Sequence, residues 1–278
     1  MRRLGAVVAV VLVLGGIAAG FALRGSSHAA PPPTTTVRQL RQFRILFPEG
    51  FNRAQMAARA GTVAKIATRE SRRKVKLSEQ AYLDATARPR TIPGFGGKKF
   101  RLEGFLFPDT YDFDRKSTAA QLVQAQLGEF ESKWSEVDLS YARSKNLTPY
   151  DVLTIASMIE KEAVAPGDRA KVARVIYNRL HLGMTLGIDA TIRYALHIPG
   201  TQSLTESDLH NPTPYNTRLH PGLPPTPIAN PGLASIQAAA HPADGPWLYF
   251  VAEPDKVHSF FTASAQAFDE YKAAHGYG

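Results

Sequence analysis

The chain has 278 residues, of which 44% are hydrophobic and 21% are charged, and its formal net charge at pH 7 is +9. A chain of this length and hydrophobicity can bury one full core and a small second domain, which excludes a disordered tail or linker. It contains no cysteine, which excludes a disulfide framework, a thiolate nucleophile and a cysteine zinc site.

The first segment predicts a membrane anchor. Arg2 and Arg3 precede 20 uncharged residues, Leu4 to Leu23, and Arg24 follows them. As a helix this run would be about 30 Å long, the thickness of the hydrocarbon core of a bilayer. The charge bias places the amino terminus inside, so we predict a single-pass anchor over residues 1–24 in the cytoplasmic membrane, with the rest of the chain outside the cytoplasm. The alternative is a cleaved signal peptide, for which SSHAA offers small residues, but the apolar run is longer than a usual signal core of about 7 to 15 residues.

A small-residue and proline tract, residues 25–36, follows as an extended spacer. Residues 37–101 then carry 16 lysines and arginines against four acids, a net charge of +12, whereas residues 102–278 carry a net charge of −6. This asymmetry favours a separate basic module beside anionic headgroups or anionic wall polymers, and the alternative is an ordinary solvated face. We predict no nucleic-acid partner, because an exported protein seldom meets nucleic acid.

Within the basic module, FRILFPEG predicts a short strand and turn, and FNRAQMAARAG predicts a short helix that ends at Gly61. A second short helix is predicted between a Ser78 cap and Pro89, which would stop it.

The next segment, RLEGFLFPDTYDF, predicts a strand from its large apolar residues Leu102, Phe105 and Phe107, with a sharp turn at Pro108. Glu103 lies among these apolar residues. It is either a carboxylate satisfied by backbone amides of a turn or a substrate contact. An amphipathic helix is predicted from about Thr118 to Val137.

The stretch TPYDVLTIASMIEKE predicts a helix that starts with a Thr148 cap, Pro149 in its first turn and Asp151 after it. At 100° per residue, Glu160 and Glu162 fall on opposite borders of the apolar stripe. Residues two apart on a helix do not face each other, so this pair cannot be the facing acid and base of an ordinary glycosidase. One carboxylate acts alone, or neither acts.

Glu160 shares its border with Leu153, Ala156 and Ser157. If packing half buries it, desolvation raises its pKa, which suits a general acid near neutral pH. The alternative is a solvated glutamate at a helix end.

A second helix is predicted to begin at an Asp168 cap and to finish with Tyr177, Asn178 and Arg179. Near the end of the chain, WLYFVAE and HSFFT predict a hairpin, followed by a helix capped near Thr262.

From about Phe47 to Tyr271 the chain resembles the endolytic murein transglycosylase, or YceG-like, family. The resemblance rests on the order of three motifs: IEKEAVAPGDRAKVARVIYNRLHLGMTLGIDATIRYAL, then NPTPYNTRLHPGLPPTPIANPGLASIQAAAHP, then WLYFVAE.

This resemblance implies an anchored protein with a small LysM-like domain over residues 37–101 and a mixed α+β catalytic domain over residues 102–278. It implies endolytic cleavage of nascent peptidoglycan glycan strands between N-acetylmuramic acid and N-acetylglucosamine, which limits strand length and leaves 1,6-anhydro ends. The family's catalytic glutamate lies in its EKE motif and corresponds to Glu160, which would act as general acid and then as base. No cofactor is implied, and the partners are glycan strands and the cell membrane, with peptidoglycan synthases as further candidates.

The resemblance also supplies candidate substrate-binding residues. Tyr215, Asn216 and Thr217 match the family's YNT, and aromatic and amide side chains suit stacking and hydrogen bonding to sugar. Asp189 and Thr191 match the family's D-P-T, although Ala190 replaces the proline. The full set of candidates is Glu103, Glu162, Asn178, Asp189, Thr191, Tyr215, Asn216 and Thr217. For some of these residues the alternative to a substrate contact is a structural role. The YNT residues would then only form a turn, Asn178 would brace its helix, and Glu162 would order the end of its helix.

Other site classes lack a pattern here. The eight histidines show no paired helical spacing for zinc, so we predict no metal, and there is no G-x-S-x-G elbow of a serine hydrolase. The predicted fold class is α+β. Two other functions stay open: a non-catalytic wall-binding or division scaffold, and a water-using muramidase that would leave reducing ends.

Overall fold

The computed structural model describes residues 41–277. The predicted anchor and spacer lie outside this range. Inside it, no helix is both long and apolar enough to cross a bilayer.

The described range mixes helices with short antiparallel strands, which confirms the α+β prediction for residues 41–277. The helices are α1 (Arg53–Ser71), α2 (Glu79–Ala87), α3 (Ala119–Ser135), α4 (Ser140–Ser144), α5 (Pro149–Glu162), α6 (Arg169–His181), α7 (Asp189–Leu196), α8 (Glu206–Leu209), α9 (Leu233–Ala240) and α10 (Ala265–His275). The strands are β1 (Phe43–Leu46), β2 (Arg90–Thr91), β3 (Lys99–Phe100), β4 (Thr110–Phe113), β5 (Tyr249–Ala252) and β6 (Ser259–Thr262), paired as β1–β4, β2–β3 and β5–β6.

The two helices of the basic module, α1 and α2, lie between the two strands of the first sheet in the order of the chain. β1 pairs antiparallel with β4 in a register that sets Ile45 opposite Tyr111, and α1 and α2 pack on each other between these strands in the sequence. The order is therefore β-α-α-β over residues 43–113, with the small β2–β3 pair inserted. This sheet crosses the predicted domain boundary at residue 101, because β4 lies beyond it.

α1 does not end at Gly61, as predicted, but continues to Ser71. Gly61 is buried inside the helix, where an added β-carbon would lie 2.8 Å from the β-carbon of Glu79. The glycine thus allows α2 to approach α1 closely and does not cap the helix. The predicted Ser78 cap of α2 is confirmed, since its side chain accepts a hydrogen bond from the Ala81 N–H.

The predicted strand over Leu102–Phe107 is wrong. Residues 102–108 are all buried, residues 102–106 form bends and turns, and the strand begins only at Thr110. Gly104 has φ +91°, and an added β-carbon there would lie 2.7 Å from Pro227. The apolar residues fill the core from an irregular segment, so their spacing does not indicate a strand.

α5 is the central helix of the second half of the chain. Its predicted start is confirmed, with Thr148 and Asp151 forming a reciprocal cap and Pro149 in the first turn. Eight consecutive residues, Val152 to Ile159, are buried, because α6 and α9 both pack against it. The predicted apolar stripe is therefore only part of its buried surface.

The terminal β5–β6 hairpin and the helix start near Thr262 are confirmed, but the predicted Asp168 cap is wrong. Asp168 does not cap α6 with its side chain: it ends a 3-10 turn, Pro166–Asp168, and accepts a 2.8 Å hydrogen bond from the Ser259 N–H of β6. Thr262 is the last residue of β6, and Ser264 caps α10. Asp168 differs from the prediction because β6 supplies the N–H that its carboxylate binds.

Candidate active site

Glu160 lies in the last turn of α5 and is partly exposed. Its Oε2 accepts a 3.1 Å hydrogen bond from the N–H of Gly232, the residue that precedes α9. One backbone donor thus fixes the orientation of a carboxylate that solvent still reaches.

The segment that carries Gly232 is held along α5 by a second hydrogen bond. The N–H of Ile228 donates to Ser157 Oγ at 3.0 Å. Ser157 and Glu160 lie one turn apart on the same side of the helix. α5 therefore supplies two acceptors to residues 228–232 and sets the position of Gly232.

A tight turn from the basic module forms the other side of the site. The Gly50 N–H donates to the Asn230 carbonyl at 2.9 Å, and the Asn230 N–H donates to the Phe51 carbonyl at 2.9 Å. Gly50 has φ +75°, and an added β-carbon would lie 3.4 Å from Glu160 Cγ. Lys161 Nζ also donates to the Gly50 carbonyl at 3.3 Å, so the turn is pinned against the end of α5.

Glu49, in this turn, brings a second carboxylate beside Glu160. A β-carbon at Gly232 would overlap the Glu49 carboxylate, so this group lies directly against the Gly232 backbone. Glu160 Oε2 lies 3.1 Å from the Gly232 nitrogen, and the Glu49 carboxylate lies against the position of the missing β-carbon of the same residue. Because bond lengths fix the distance between these two points of Gly232, the carboxylates of Glu49 and Glu160 lie within about 8 Å of each other. Burial and the negative charge of Glu160 raise the pKa of Glu49, and the positive charge of Arg169 lowers it.

Our sequence prediction did not include Glu49. The available signals were the FPEG turn ahead of a helix and an acid in a strongly basic segment.

Glu103 is a buried carboxylate that the protein itself satisfies. Only 7% exposed, it accepts hydrogen bonds from the Arg53 N–H at 3.0 and 3.2 Å, from Tyr194 Oη at 3.2 Å and from Asn230 Nδ2 at 3.0 Å. Burial raises its pKa to about 7, against the lowering effect of these donors. Glu103 thus holds the start of α1 to the segment of Gly232, and a substrate contact by it stays a prediction.

Glu162 points to a different surface from Glu160. It lines a cavity of about 600 Å³ together with Asp189, Arg179 and Arg218. Burial and the negative charge of Asp189 raise the pKa of Glu162 to about 7, while Asp189 itself pairs with Arg218 Nε at 2.7 Å. The structure therefore brings Glu162 and Asp189 together, apart from the pair at Gly232.

Asn178 braces α6 against the chain that leads into β5. Its Nδ2 donates to the carbonyls of Gly245 at 3.2 Å and Trp247 at 2.8 Å. These bonds use both amide hydrogens, and a substrate contact by Asn178 stays a prediction.

Thr191 and Thr217 are buried next to each other, with their hydroxyl oxygens 3.1 Å apart. The Ile188 N–H donates to Thr217 Oγ1 at 3.0 Å, and Thr191 Oγ1 donates to the Ile188 carbonyl at 2.7 Å. Together they fix the start of α7, which carries Asp189.

Asn216 and Tyr215 belong to the same ordered loop. Asn216 is fully buried and donates to the carbonyls of Leu209 and Asn211 at 2.9 and 2.8 Å. Tyr215 is half-buried, bonds to Thr226 and packs on Tyr194, which contacts Glu103. Of the YNT residues, Tyr215 is the one with a partly exposed ring that a sugar could contact.

The arrangement around Gly232 can transfer a proton and stabilise charge. Glu160 is accessible, oriented by one N–H and close to a second carboxylate, the elements that cleavage of a glycosidic bond requires.

The model of the YceG-like family matches residues 26–274 of the chain. The chain is also 35% identical over 217 residues to the endolytic murein transglycosylase of Bacillus subtilis, covering 76% of this chain and 59% of that protein. The endolytic murein transglycosylase of Streptococcus pneumoniae serotype 2 is 31% identical over 250 residues, covering 83% of this chain and 44% of that protein. The chain thus spans about half the length of the curated relatives it matches.

A solved structure supports the same relationship. The crystal structure of a YceG-like protein from Listeria monocytogenes superposes with a TM-score of 0.67 at 29% identity, covering 82% of this chain and 75% of that one.

Proposed function

The chain belongs to the YceG-like family, and from this premise we propose that it cleaves the glycan strands of peptidoglycan internally, as an endolytic murein transglycosylase, with Glu160 as its catalytic residue. The observation that carries this proposal is the geometry of Glu160: an accessible carboxylate oriented by the Gly232 N–H and enclosed by Gly50. The names of the relatives from Bacillus and Streptococcus support the substrate.

The proposed reaction uses one carboxyl group twice. Glu160 protonates the glycosidic oxygen between N-acetylmuramic acid and N-acetylglucosamine as the C1–O bond breaks. The muramic acid's own 6-hydroxyl then bonds to C1 and gives its proton to the Glu160 carboxylate, which leaves a 1,6-anhydro end and consumes no water. General acid and base catalysis of this kind contributes about 10² to 10⁴ in rate.

The remaining parts of the proposal concern placement. Residues 1–24 would anchor the chain in the cytoplasmic membrane, and the catalytic domain would act outside and limit the length of nascent strands, with peptidoglycan synthases as candidate partners. Residues 37–101 would form most of a LysM-like domain; the β-α-α-β order of residues 43–113 supports this, with its last strand, β4, lying beyond residue 101.

The presence of a second carboxylate, Glu49, beside Glu160 favours a second candidate, a water-using muramidase. Inverting glycosidases separate their two carboxyl groups by about 6.5 to 9.5 Å to make room for a water. The limit of about 8 Å between the Glu49 and Glu160 carboxylates includes part of that range and also the spacing of about 5 to 5.5 Å found in retaining enzymes. Such an enzyme would release reducing ends in place of 1,6-anhydro ends.

Digestion of uncrosslinked glycan strands by residues 37–278 tests the proposal. We expect 1,6-anhydro products by mass spectrometry, and we expect Glu160→Gln to lower the rate at least about 10²-fold because the variant cannot supply a proton. Glu131→Gln, on the exposed face of α3, is the matched control and should retain the wild-type rate. A Glu160→Gln variant as active as the control would contradict the role of Glu160, and reducing ends would favour the muramidase.

A further inference from the structure

Glu49 is an exposed residue, but its carboxylate lies against the Gly232 backbone beside Glu160. Among residues 41–277, its pKa responds to burial and to the charges of Glu160 and Arg169, and no hydrogen bond contributes. Glu103, by contrast, accepts hydrogen bonds from three protein groups. The acceptor capacity of Glu49 is therefore free for a ligand.

The surrounding backbone keeps Glu49 in this position. Gly232 leaves room for its carboxylate, and the next residue, Gly50, is pinned by Asn230 and by Lys161. The charged groups that face this turn are Glu160 and Lys161 from α5 and Arg169 from α6. Glu49 is exposed and Glu160 is partly exposed, and both carboxylates contact Gly232, so a glycan that reaches Glu160 also reaches Glu49.

We infer that Glu49 is the second carboxylate of the active site, contacting the glycan beside Glu160 and stabilising the positive charge that develops at the anomeric carbon. This inference rests on the proposed function. Cleavage of glycosidic bonds passes through an oxocarbenium-like transition state, which an adjacent fixed negative charge stabilises. Glu49 forms no covalent bond and transfers no proton, so the balance of the proposed reaction is unchanged.

The first test compares Glu49→Gln with Glu79→Gln in the full chain, held in detergent and supplied with uncrosslinked glycan strands. Glu79 is a matched control, because it belongs to the same basic module and also packs against a glycine, Gly61, without contacting Glu160. We expect Glu49→Gln to lower kcat about 10²-fold, as loss of one preorganised electrostatic group does. Glu79→Gln should keep the wild-type kcat, and thermal unfolding of both variants should match the wild type.

A pH profile separates a substrate contact from a structural role. The wild-type rate should fall on the acid side as Glu49 takes up a proton, at a pH above that of an ordinary glutamate, since burial and Glu160 raise its pKa. In Glu49→Gln this contribution should be missing while the products keep their 1,6-anhydro ends. A merely structural residue would leave the shape of the profile unchanged.

A second variant keeps the inference testable if Glu49→Gln unfolds. Gly232→Ala is compatible with the backbone, whose φ is −75°, but its β-carbon would displace the Glu49 carboxylate. We expect Gly232→Ala to lose activity in the wild type and to cause little further loss in Glu49→Ala. Additive losses in this double-mutant cycle would overturn the inference.

The outcomes distinguish the inference from the proposed function. A wild-type chain that does not cleave glycan overturns both. An active wild type with an inactive Glu160→Gln, and a Glu49→Gln as active as Glu79→Gln, overturns the role of Glu49 alone. Loss of kcat, a changed acid limb and non-additive behaviour with Gly232→Ala support it.

Discussion

Two glycines determine how closely the carboxylates of the site approach each other. Gly232 supplies the N–H that orients Glu160 and leaves the space that Glu49 occupies. Gly50 has φ +75° and faces Glu160 Cγ. A β-carbon at Gly232 would displace the Glu49 carboxylate and one at Gly50 would contact Glu160, so the site depends on residues that carry no chemistry of their own.

Gly50→Ala should reduce both stability and activity. The left-handed backbone costs a residue with a β-carbon about 1 kcal/mol or more. That β-carbon would also contact Glu160 Cγ at 3.4 Å and so restrict the movement of the carboxylate. Gly96 is a matched control, because it also has φ +75° but faces open space. We expect both alanine variants to lose about the same free energy of unfolding in urea, and only Gly50→Ala to lose glycan cleavage. Equal activities in the two variants would show that contact with Glu160 is unimportant.

Sequence reasoning identified one member of the carboxylate pair and missed the other. Glu160 can be identified from the sequence because it lies in a family motif and on a helix whose faces follow from residue spacing alone. The same spacing excluded Glu162 as its partner, and the structure agrees, since Glu162 faces Asp189. Glu49 lies far away in the sequence, and only the backbone bonds between the Gly50 turn and Asn230 bring it to Glu160.

Among the secondary-structure elements, helix starts with local capping signals can be predicted from the sequence. Helix boundaries that depend on tertiary contacts cannot. Thr148 and Ser78 cap their helices through side chains and neighbouring amides, which a short stretch of sequence encodes. Gly61 looked like a helix end, but its role is to admit α2. Asp168 looked like a cap, but its carboxylate bonds to β6, an element more distant in the chain.

α5 holds the site by bonding to the segment of Gly232 at two points one turn apart. Ser157→Ala should remove the first of these and leave the buried Ile228 N–H without an acceptor. An unsatisfied buried donor costs about 1 to 3 kcal/mol, so we expect a loss of that size in the free energy of unfolding. Because Gly232 lies on the same segment, glycan cleavage should also decrease.

Ser144→Ala provides the control for this prediction. The Ser157 hydroxyl donates to the Thr154 carbonyl at 2.7 Å, and the Ser144 hydroxyl likewise donates to the Tyr141 carbonyl at 2.7 Å, but Ser144 is exposed in α4 and water can replace its bond. It should change stability by less than about 0.5 kcal/mol. If Ser157→Ala behaves like Ser144→Ala, the bond to Ile228 does not position the segment.

For the whole molecule, the active site joins parts that the charge distribution separates. Residues 37–101 carry a net charge of +12 and the rest of the chain after them carries −6. Yet β1 pairs with β4 across that division, and the turn after β1 contributes Glu49 and Gly50. The basic segment is therefore part of the structure that shapes the catalytic surface, which composition alone could not indicate.

Two carboxyl groups link the stability of the whole described fold to pH. Burial, first of all, raises the pKa of Glu103 and of Glu162 to about 7, from an ordinary value of 4.5. Between these values the folded chain holds more protons than the unfolded chain. Stability is therefore greatest at or below pH 4.5 as far as these groups contribute, and it is lost as pH rises through about 7.

Urea unfolding at pH 5, 6, 7 and 8 measures this effect. For Glu103, which is only 7% exposed, the loss should be on the order of 3 kcal/mol, and for the partly exposed Glu162 it should be smaller because solvent screens its charge. Exposed aspartates such as Asp255, whose pKa is lowered to about 2 by its bonds to His258 and Val257, titrate below this range and do not oppose the trend.

Glu162→Gln should reduce the loss of the free energy of unfolding between pH 5 and pH 8, because glutamine keeps the shape of the protonated group and is not repelled by Asp189. The control, Glu131→Gln on the exposed face of α3, should leave this loss unchanged. A free energy of unfolding that stays level or increases from pH 5 to pH 8 would show that both groups are ionised in the folded chain at no cost. In that case neither Glu103 nor Glu162 would hold a proton near neutral pH, and the hydrogen bonds that they accept would fully offset the free-energy cost of burying their ionised carboxylates.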